Sequence, residues 1–323
     1  MKLVDPLYGT FEVEDVIAEL IETDAIQRLK KIHQGGASYL INPKWCVNRY
    51  DHSVGVCLLI RKLGGSIEEQ IAGLLHDISH TAFSHVVDYV LKNKQEDYHE
   101  EIFENILNQS EIPKVLSENG FHHKDILSRN WGILEQDFPD LCADRVDYTL
   151  RDMYTYGVIS KKEVNTFLST LLVSNGKICI NSIESAGWFV STYIKVVIDF
   201  FLNPYNVYGN QQFAQILQFS LESEIITLED LQQDDESVLE MLWKNPNEKL
   251  KNLLQQLHPN VLVEDNEDEY DIHVRKKTRI VDPLVYIGGK TKRASEVSKT
   301  VRKQNKEALE KSLKGAFVKI INS

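Results

Sequence analysis

Ile71-Ala72-Gly73-Leu74-Leu75-His76-Asp77-Ile78-Ser79-His80-Thr81-Ala82-Phe83-Ser84-His85-Val86-Val87-Asp88 is the stretch around which the chain is arranged. Its apolar start leads straight into a histidine beside an aspartate, so a buried helix carries two metal-competent side chains to its end. A carboxylate and an imidazole are costly in apolar surroundings unless partnered. Together they suit a divalent ion of the Mn, Fe, Co, Ni or Zn type better than thiolate-seeking or purely oxygen-seeking ions. Read as helix, His76 and His80 are i, i+4 and share a face, while His85 and Asp88 are i, i+3 and within hydrogen-bonding reach.

Two adjacent ligands do not complete a catalytic site, which takes three or four protein ligands and keeps a position open. Upstream, Asn48-Arg49-Tyr50-Asp51-His52-Ser53 places a histidine near an arginine before the apolar run Cys57 to Ile60. Downstream, Ala143-Asp144-Arg145-Val146-Asp147-Tyr148 offers an aspartate with a cationic neighbour. The order His52, His76-Asp77, Asp144 resembles the signature of the HD superfamily of metal-dependent phosphohydrolases. Asp5-Pro6-Leu7-Tyr8-Gly9, Thr23 to Leu29, Phe83-Ser84-His85 and Arg151-Asp152 narrow the resemblance to the deoxynucleoside triphosphate triphosphohydrolases. The matches run in order from about residue 4 to residue 157.

The resemblance implies a mainly α fold: an HD-domain helical core with a smaller mixed α/β C-terminal region. It implies one divalent metal ion (Mn, Fe, Co, Ni, Zn or Mg) held by His52, His76, Asp77 and Asp144. The ion would activate water for in-line attack on an α-phosphorus. His85, oriented by Asp88, would protonate the leaving 5′ oxygen. His80 and His99 match further site histidines near the triphosphate. Arg49 matches a triphosphate contact, and Arg145 stands where the family often has lysine. Gln34, Tyr148 and Asp152 match sugar-holding positions, and Tyr208 falls in the region of a base-reading pair. A nucleotide substrate and a homo-oligomer follow from the same resemblance.

Plainer readings stand beside these. His76-Asp77 would otherwise be a hydrogen-bonded helix end, His80 and His99 satisfied core histidines, and Tyr148 a packing residue. Arg49 and Arg145 would be charged pairs with Asp51 or Asp147. The family's arginine in the helix near 188 to 202 is missing here, where Lys195 is the cation, and Tyr208 is followed by glycine. His122-His123 would suit a second metal, but it follows the turn signal Asn119-Gly120-Phe121 and reads as an exposed loop. The rival functions are an HD phosphatase or phosphodiesterase on another phosphorylated metabolite, and a non-catalytic nucleotide- or nucleic-acid-binding protein.

At 323 residues the chain suits one large domain or a domain with an appendage, divided at 1–225 and 226–323. Cys46, Cys57, Cys142 and Cys179 lack metal or scaffold spacing and read as reduced thiols of a cytoplasmic protein. The N-terminus lacks a signal peptide's apolar core, and the longest apolar stretch, Trp188 to Leu202, is interrupted by Lys195 and Asp199. No membrane association is expected. The net charge of −12 conceals an asymmetry, since residues 274–323 hold 14 Lys+Arg against 4 Asp+Glu. That basic region is the weaker case for nucleic acid; its simpler role is to complement the acidic body, with Glu264 to Asp271 facing Arg275-Lys276-Lys277. The periodicity predicts helices over 14–33, 52–63, 68–76, 84–94, 99–109, 163–173, 183–202 and 208–223. It also predicts strands at 177–180, 272–279 and 283–287 and a charged helix over 296–314.

Overall fold

A computed structural model describes residues 1–127 and 129–322, apart from the side chain of Leu127. The chain is mainly helical, with small sheets near the N-terminus, after the central helices and in the C-terminal region. Two antiparallel helices form the centre. Arg49–Lys62 starts at Asn48, whose side chain accepts the Asp51 N–H at 2.8 Å, and Ile67–Leu75 starts at Ser66, which accepts the Glu69 N–H at 3.2 Å. Both are capping arrangements that satisfy otherwise orphaned donors. Gly64, at φ +81, makes the turn between them, and Gly73 lets them touch: a Cβ there would lie 2.5 Å from Ile60.

The third site helix, Ala143–Thr155, crosses the first at Gly55. A Cβ on Gly55 would meet Arg151 Nη2 at 1.9 Å and Asp147 Oδ2 at 2.2 Å, so the glycine makes room for a buried ion pair. The expected helix over 163–173 ends at Leu168 and gives way to the strand Leu171–Ser174, which pairs with Lys177–Ile180. Ile183–Ile194 continues through a wider π turn, Lys195–Phe200, before Pro204–Glu222 begins. Such turns commonly sit beside functional sites.

The expected helix over 14–33 is broken into Asp15–Ile21, Asp24–Arg28 and a short 3-10 turn. The boundary expected at 225/226 is crossed by a sheet, because Leu284–Ile287 pairs parallel with Lys177–Ile180 and antiparallel with Lys290–Arg293. The last strand, Ala316–Asn322, lies between Leu262–Asp265 and Ile272–Val274. The charged helix Lys299–Lys314 packs on Ile183–Ile194. The strand predicted over 272–279 stops at Val274, and residues 275–283 run on outside regular structure. Glu267 and Asp271 pair with Lys314 and Lys319, not with Arg275-Lys276-Lys277. No single described helix is long and apolar enough to cross a membrane.

Candidate functional site

The quoted stretch does not form one helix. Ile67–Leu75 ends with His76 as its C-cap, residues 76–84 form successive turns, and Val86–Leu91 starts again after His85. Phe83 and Ser84 have φ of +59 and +53, which a helix excludes. Long-range partners hold this conformation. Arg28 donates to the carbonyls of Ile78 at 2.7 Å and His80 at 2.9 Å, and buried Asp235 accepts the Phe83 N–H at 2.6 Å. The shared helical face assigned to His76 and His80 is therefore replaced by a turn that folds His80 Nε2 back to 3.2 Å from Asp77 Oδ1.

Three helix ends bring together side chains far apart in sequence. His52 Nε2 lies 3.0 Å from Asp144 Oδ1 and 3.8 Å from Asp77 Oδ2. His76 Nε2 lies 3.5 Å from Asp77 Oδ1 and 3.6 Å from Asp144 Oδ1. Cis ligands bonded at about 2.1 Å to a common ion sit about 3.0–3.4 Å apart, so the His52–Asp144 pair is at that spacing and the other three separations, at 3.5, 3.6 and 3.8 Å, are slightly wider. His52, His76 and Asp144 form a group whose donor atoms lie within 4.8 Å of one another, while Asp77 lies just outside it, with Oδ2 bonded to Arg49 and Oδ1 near His80.

The outer hydrogen bonds fix which nitrogens face inward. His52 Nδ1–H donates to Asp147 Oδ1 at 2.8 Å, and His76 Nδ1–H donates to the Gly73 carbonyl at 2.7 Å. Each histidine thus presents Nε2 to the centre, the arrangement that orients metal ligands. His76 Nε2 is buried without a hydrogen-bond partner among the described residues. Burial disfavours a charged His52, but Asp144 and Asp147 outweigh it and raise its pKa to about 10. Burial likewise opposes ionisation of Asp77, yet Arg49, His76 and His80 hold its carboxyl well below the usual range. Two carboxylates facing an orphaned imidazole nitrogen fit a divalent cation.

A cavity of about 480 Å³ opens over this centre. His85 lies on its wall, half-exposed, with Nδ1 3.0 Å from Oδ2 of buried Asp88. Asp88 Oδ1 also accepts the Tyr98 N–H at 3.2 Å, so the carboxylate is fixed from both sides. His99 stacks on His80 with centroids 3.9 Å apart, and both rings stand edge-on to His85. Burial, then the Arg49 and His99 charges, push His80 well below its usual pKa; burial, then His85, lowers His99 to about 3.

Gln34, Arg49, Arg145, Tyr148 and Asp152 all line the cavity. Arg49 donates to Asp77 Oδ2 at 2.6 Å and to Ser84 Oγ at 2.7 Å, rather than pairing with Asp51 or Asp147. Arg145 donates to the Asp140 carbonyl at 2.6 Å and lies 3.5 Å from Glu135, while Asp147 is taken by Arg151 at 2.9 Å. Tyr148 OH donates to Tyr193 OH at 3.1 Å. Gln34 Oε1 and Asp152 Oδ1 are buried without hydrogen-bond partners among the described residues. Burial raises the Asp152 pKa to about 7.

Tyr208 does not line the cavity; it is buried in the C-terminal core and donates to the Gln256 carbonyl at 3.0 Å. Asn206 and Asn210, on the same helix, do line it, and Asn210 Oδ1 also accepts the Ala37 N–H at 2.9 Å. Two asparagines four apart inside an apolar helix were the signal available for them. His122 and His123 join no donor group among the described residues. Asp147, the partner of His52, and the cavity-lining Lys276, Lys277 and Arg279 are functional candidates that sequence reasoning missed.

A family model described as the HD domain matches residues 49–152. The uncharacterized protein YdhJ of Bacillus subtilis is 51% identical over 99% of each chain. The metal-dependent phosphohydrolase cns2 of Cordyceps militaris is 29% identical, covering 88% of this chain and 85% of its own. The deoxynucleoside triphosphate triphosphohydrolase SAMHD1 of Xenopus laevis is 31% identical over 38% of this chain and 23% of its own. A crystal structure of a hypothetical protein from Aquifex aeolicus shares the fold, with a TM-score of 0.69 and 21% identity over 96% of this chain and 99% of that one.

Proposed function

Because the chain belongs to the HD superfamily of metal-dependent phosphohydrolases, we propose that it hydrolyses deoxynucleoside triphosphates to deoxynucleoside and inorganic triphosphate. The observation that carries this reading is that the four-donor centre, the His85–Asp88 pair and the unpartnered Asp152 carboxylate meet at one cavity of nucleotide size.

His52, His76, Asp77 and Asp144 would hold the ion. A bound divalent cation supplies a polarised water and neutralises charge at phosphorus. Arg49 keeps Asp77 ionised and in place, and Asp147 and the Gly73 carbonyl keep the two histidines turned inward. His85 delivers a proton to the 5′ oxygen: its Nδ1 is held by Asp88, and its exposure leaves Nε2 free to reach a substrate. His80 and His99, held neutral by burial, serve as hydrogen-bond partners for phosphate oxygens. Asp152 and Gln34 offer buried acceptors to sugar hydroxyls, with Tyr148 beside them. The sequence similarity to a deoxynucleoside triphosphate triphosphohydrolase supports the same substrate class. We further propose a cytoplasmic homo-oligomer.

Incubation of metal-loaded protein with a panel of deoxynucleoside triphosphates and identification of the released anion tests the reading. Triphosphate is expected. Orthophosphate would transfer the site to phosphatase chemistry on another phosphorylated metabolite. His85→Gln is expected to keep its metal and lose about 10²–10⁴-fold in kcat; an unchanged kcat would remove His85 from the role.

A further inference from the structure

The cavity receives cations from a part of the chain that none of the site helices supplies. Past Ile272–Val274 the backbone runs along the cavity and contributes Lys276, Lys277 and Arg279 to its lining. The segment is docked there. Arg279 Nη2 donates to Glu96 Oε2, and Glu96 sits at φ +55 in the loop joining the helices that follow His85 and carry His99. Phe201 lies beneath both cations, 5.8 Å from the Arg279 guanidinium and 5.5 Å from Lys276 Nζ, and Tyr89 is 5.8 Å from the same ammonium.

The other cavity cations are already engaged. Arg49 is bonded to Asp77 and Ser84, and Arg145 to the carbonyls of Asp140 and Gln136. Lys195 is not in the lining; its charge acts on Glu163. Lys276 and Lys277, in contrast, make no ion pair with a carboxylate among the described residues. Two ammonium groups without a direct carboxylate partner among the described residues, that of Lys276 beside Phe201 and Tyr89, form a receptive site for anionic oxygens, because low-dielectric cavity walls focus their field. A lysine serves phosphate as a mobile point charge with three donors.

We propose that Lys276 and Lys277, positioned by the Arg279–Glu96 pair, bind the distal phosphates of the substrate and make recognition depend on the length of the phosphate chain. The inference rests on reading the cavity as a nucleotide phosphohydrolase site. A substrate with one phosphate, seated at the four-donor centre, would leave both ammonium groups unpaired; a polyphosphate tail would reach them.

The test uses the metal-loaded full chain and two probes, inorganic triphosphate and orthophosphate, with binding measured by calorimetry. In the K276A/K277A double variant, triphosphate affinity falls tenfold or more, orthophosphate affinity changes less than twofold, and metal content and melting temperature match the wild type. Equal losses for both anions, no loss, or a wild type that does not bind triphosphate would each overturn the proposal. Arg279→Gln is expected to reproduce part of the selective loss and Arg279→Lys to restore it. Failure of the two ideas can be told apart. A wild type that binds triphosphate through the lysines but releases none from any deoxynucleotide keeps the grip and refutes the reaction. A wild type that releases triphosphate, with KM unchanged in the double variant, does the reverse.

Discussion

Replacing Asp147 by asparagine tests the link between the fold and the metal centre. The carboxylate is fully buried and answers three groups: His52 Nδ1–H at 2.8 Å and the Arg151 Nε and Nη2 donors at 2.9 Å each. Burial raises its pKa, but Arg151 and His52 more than offset this and keep it ionised. The Asp147→Asn substitution would keep the shape and remove the charge. Arg151 would then rely on Asp5 at 3.0 Å, and one of its buried donors would face an amide. Breaking a buried pair in this way costs about 3–5 kcal/mol. With an unfolding entropy of about 0.7 kcal/mol/K for a chain of this length, the melting temperature should fall by about 4–7 °C. The histidine also exchanges its carboxylate partner for a neutral amide oxygen, and weakening such an outer partner typically lowers metal affinity about 10–100-fold. Differential scanning calorimetry of metal-free protein isolates the first effect, and competition against a chelator of known affinity isolates the second. An asparagine variant with wild-type melting and wild-type metal affinity would refute the assignment of Asp147 to both tasks.

Three further outcomes are expected. His76→Ala should lose bound metal and turnover together, read by elemental analysis and product release; retained metal with lost turnover would contradict the ligand assignment. Gly55→Ala drives a methyl group into the Asp147–Arg151 pair, 1.9 Å from Arg151 Nη2, and should destabilise by about 1–3 kcal/mol or more in urea denaturation; a neutral result would mean that the two helices separate at little cost. Asp140 anchors Lys177 at 2.6 Å and also accepts from Arg293 of the C-terminal sheet. Burial raises the pKa of its carboxyl, but the two cations outweigh this and lower it. The group therefore adds stability that is complete above the ordinary carboxylate value near 4 and is lost as pH falls through the lower folded value, with a slope of at most about 1.4 kcal/mol per pH unit. Asp140→Asn should flatten that part of the acid limb in pH-dependent denaturation; an unaltered limb would place the titration elsewhere.

The amino-acid sequence by itself determined the candidate donors, His52, His76, Asp77 and Asp144, and the apolar helix that ends at the middle pair. Metal chemistry restricts the donor types, and helix periodicity marks the apolar run that stops at His76-Asp77, whereas the helix starts at Arg49 and Ala143 emerge only in the folded chain. It also carried the pairing of His85 with Asp88, because that contact spans only three residues. The turn from His76 to Ser84 was not legible, since its left-handed residues are a phenylalanine and a serine, types that do not favour a positive φ as glycine or asparagine does. Arg28 and Asp235, distant in the chain, stabilise it. Nor could periodicity foresee that Asp147, one helical turn after Asp144, would orient His52 across the interface opened by Gly55. The basic segment read as a solvated complement to the acidic body became a cavity wall for the same reason. Charge composition gives the sign of a segment, while only the packing of Leu284–Ile287 against Lys177–Ile180 and of Arg279 against Glu96 decides where that charge is held.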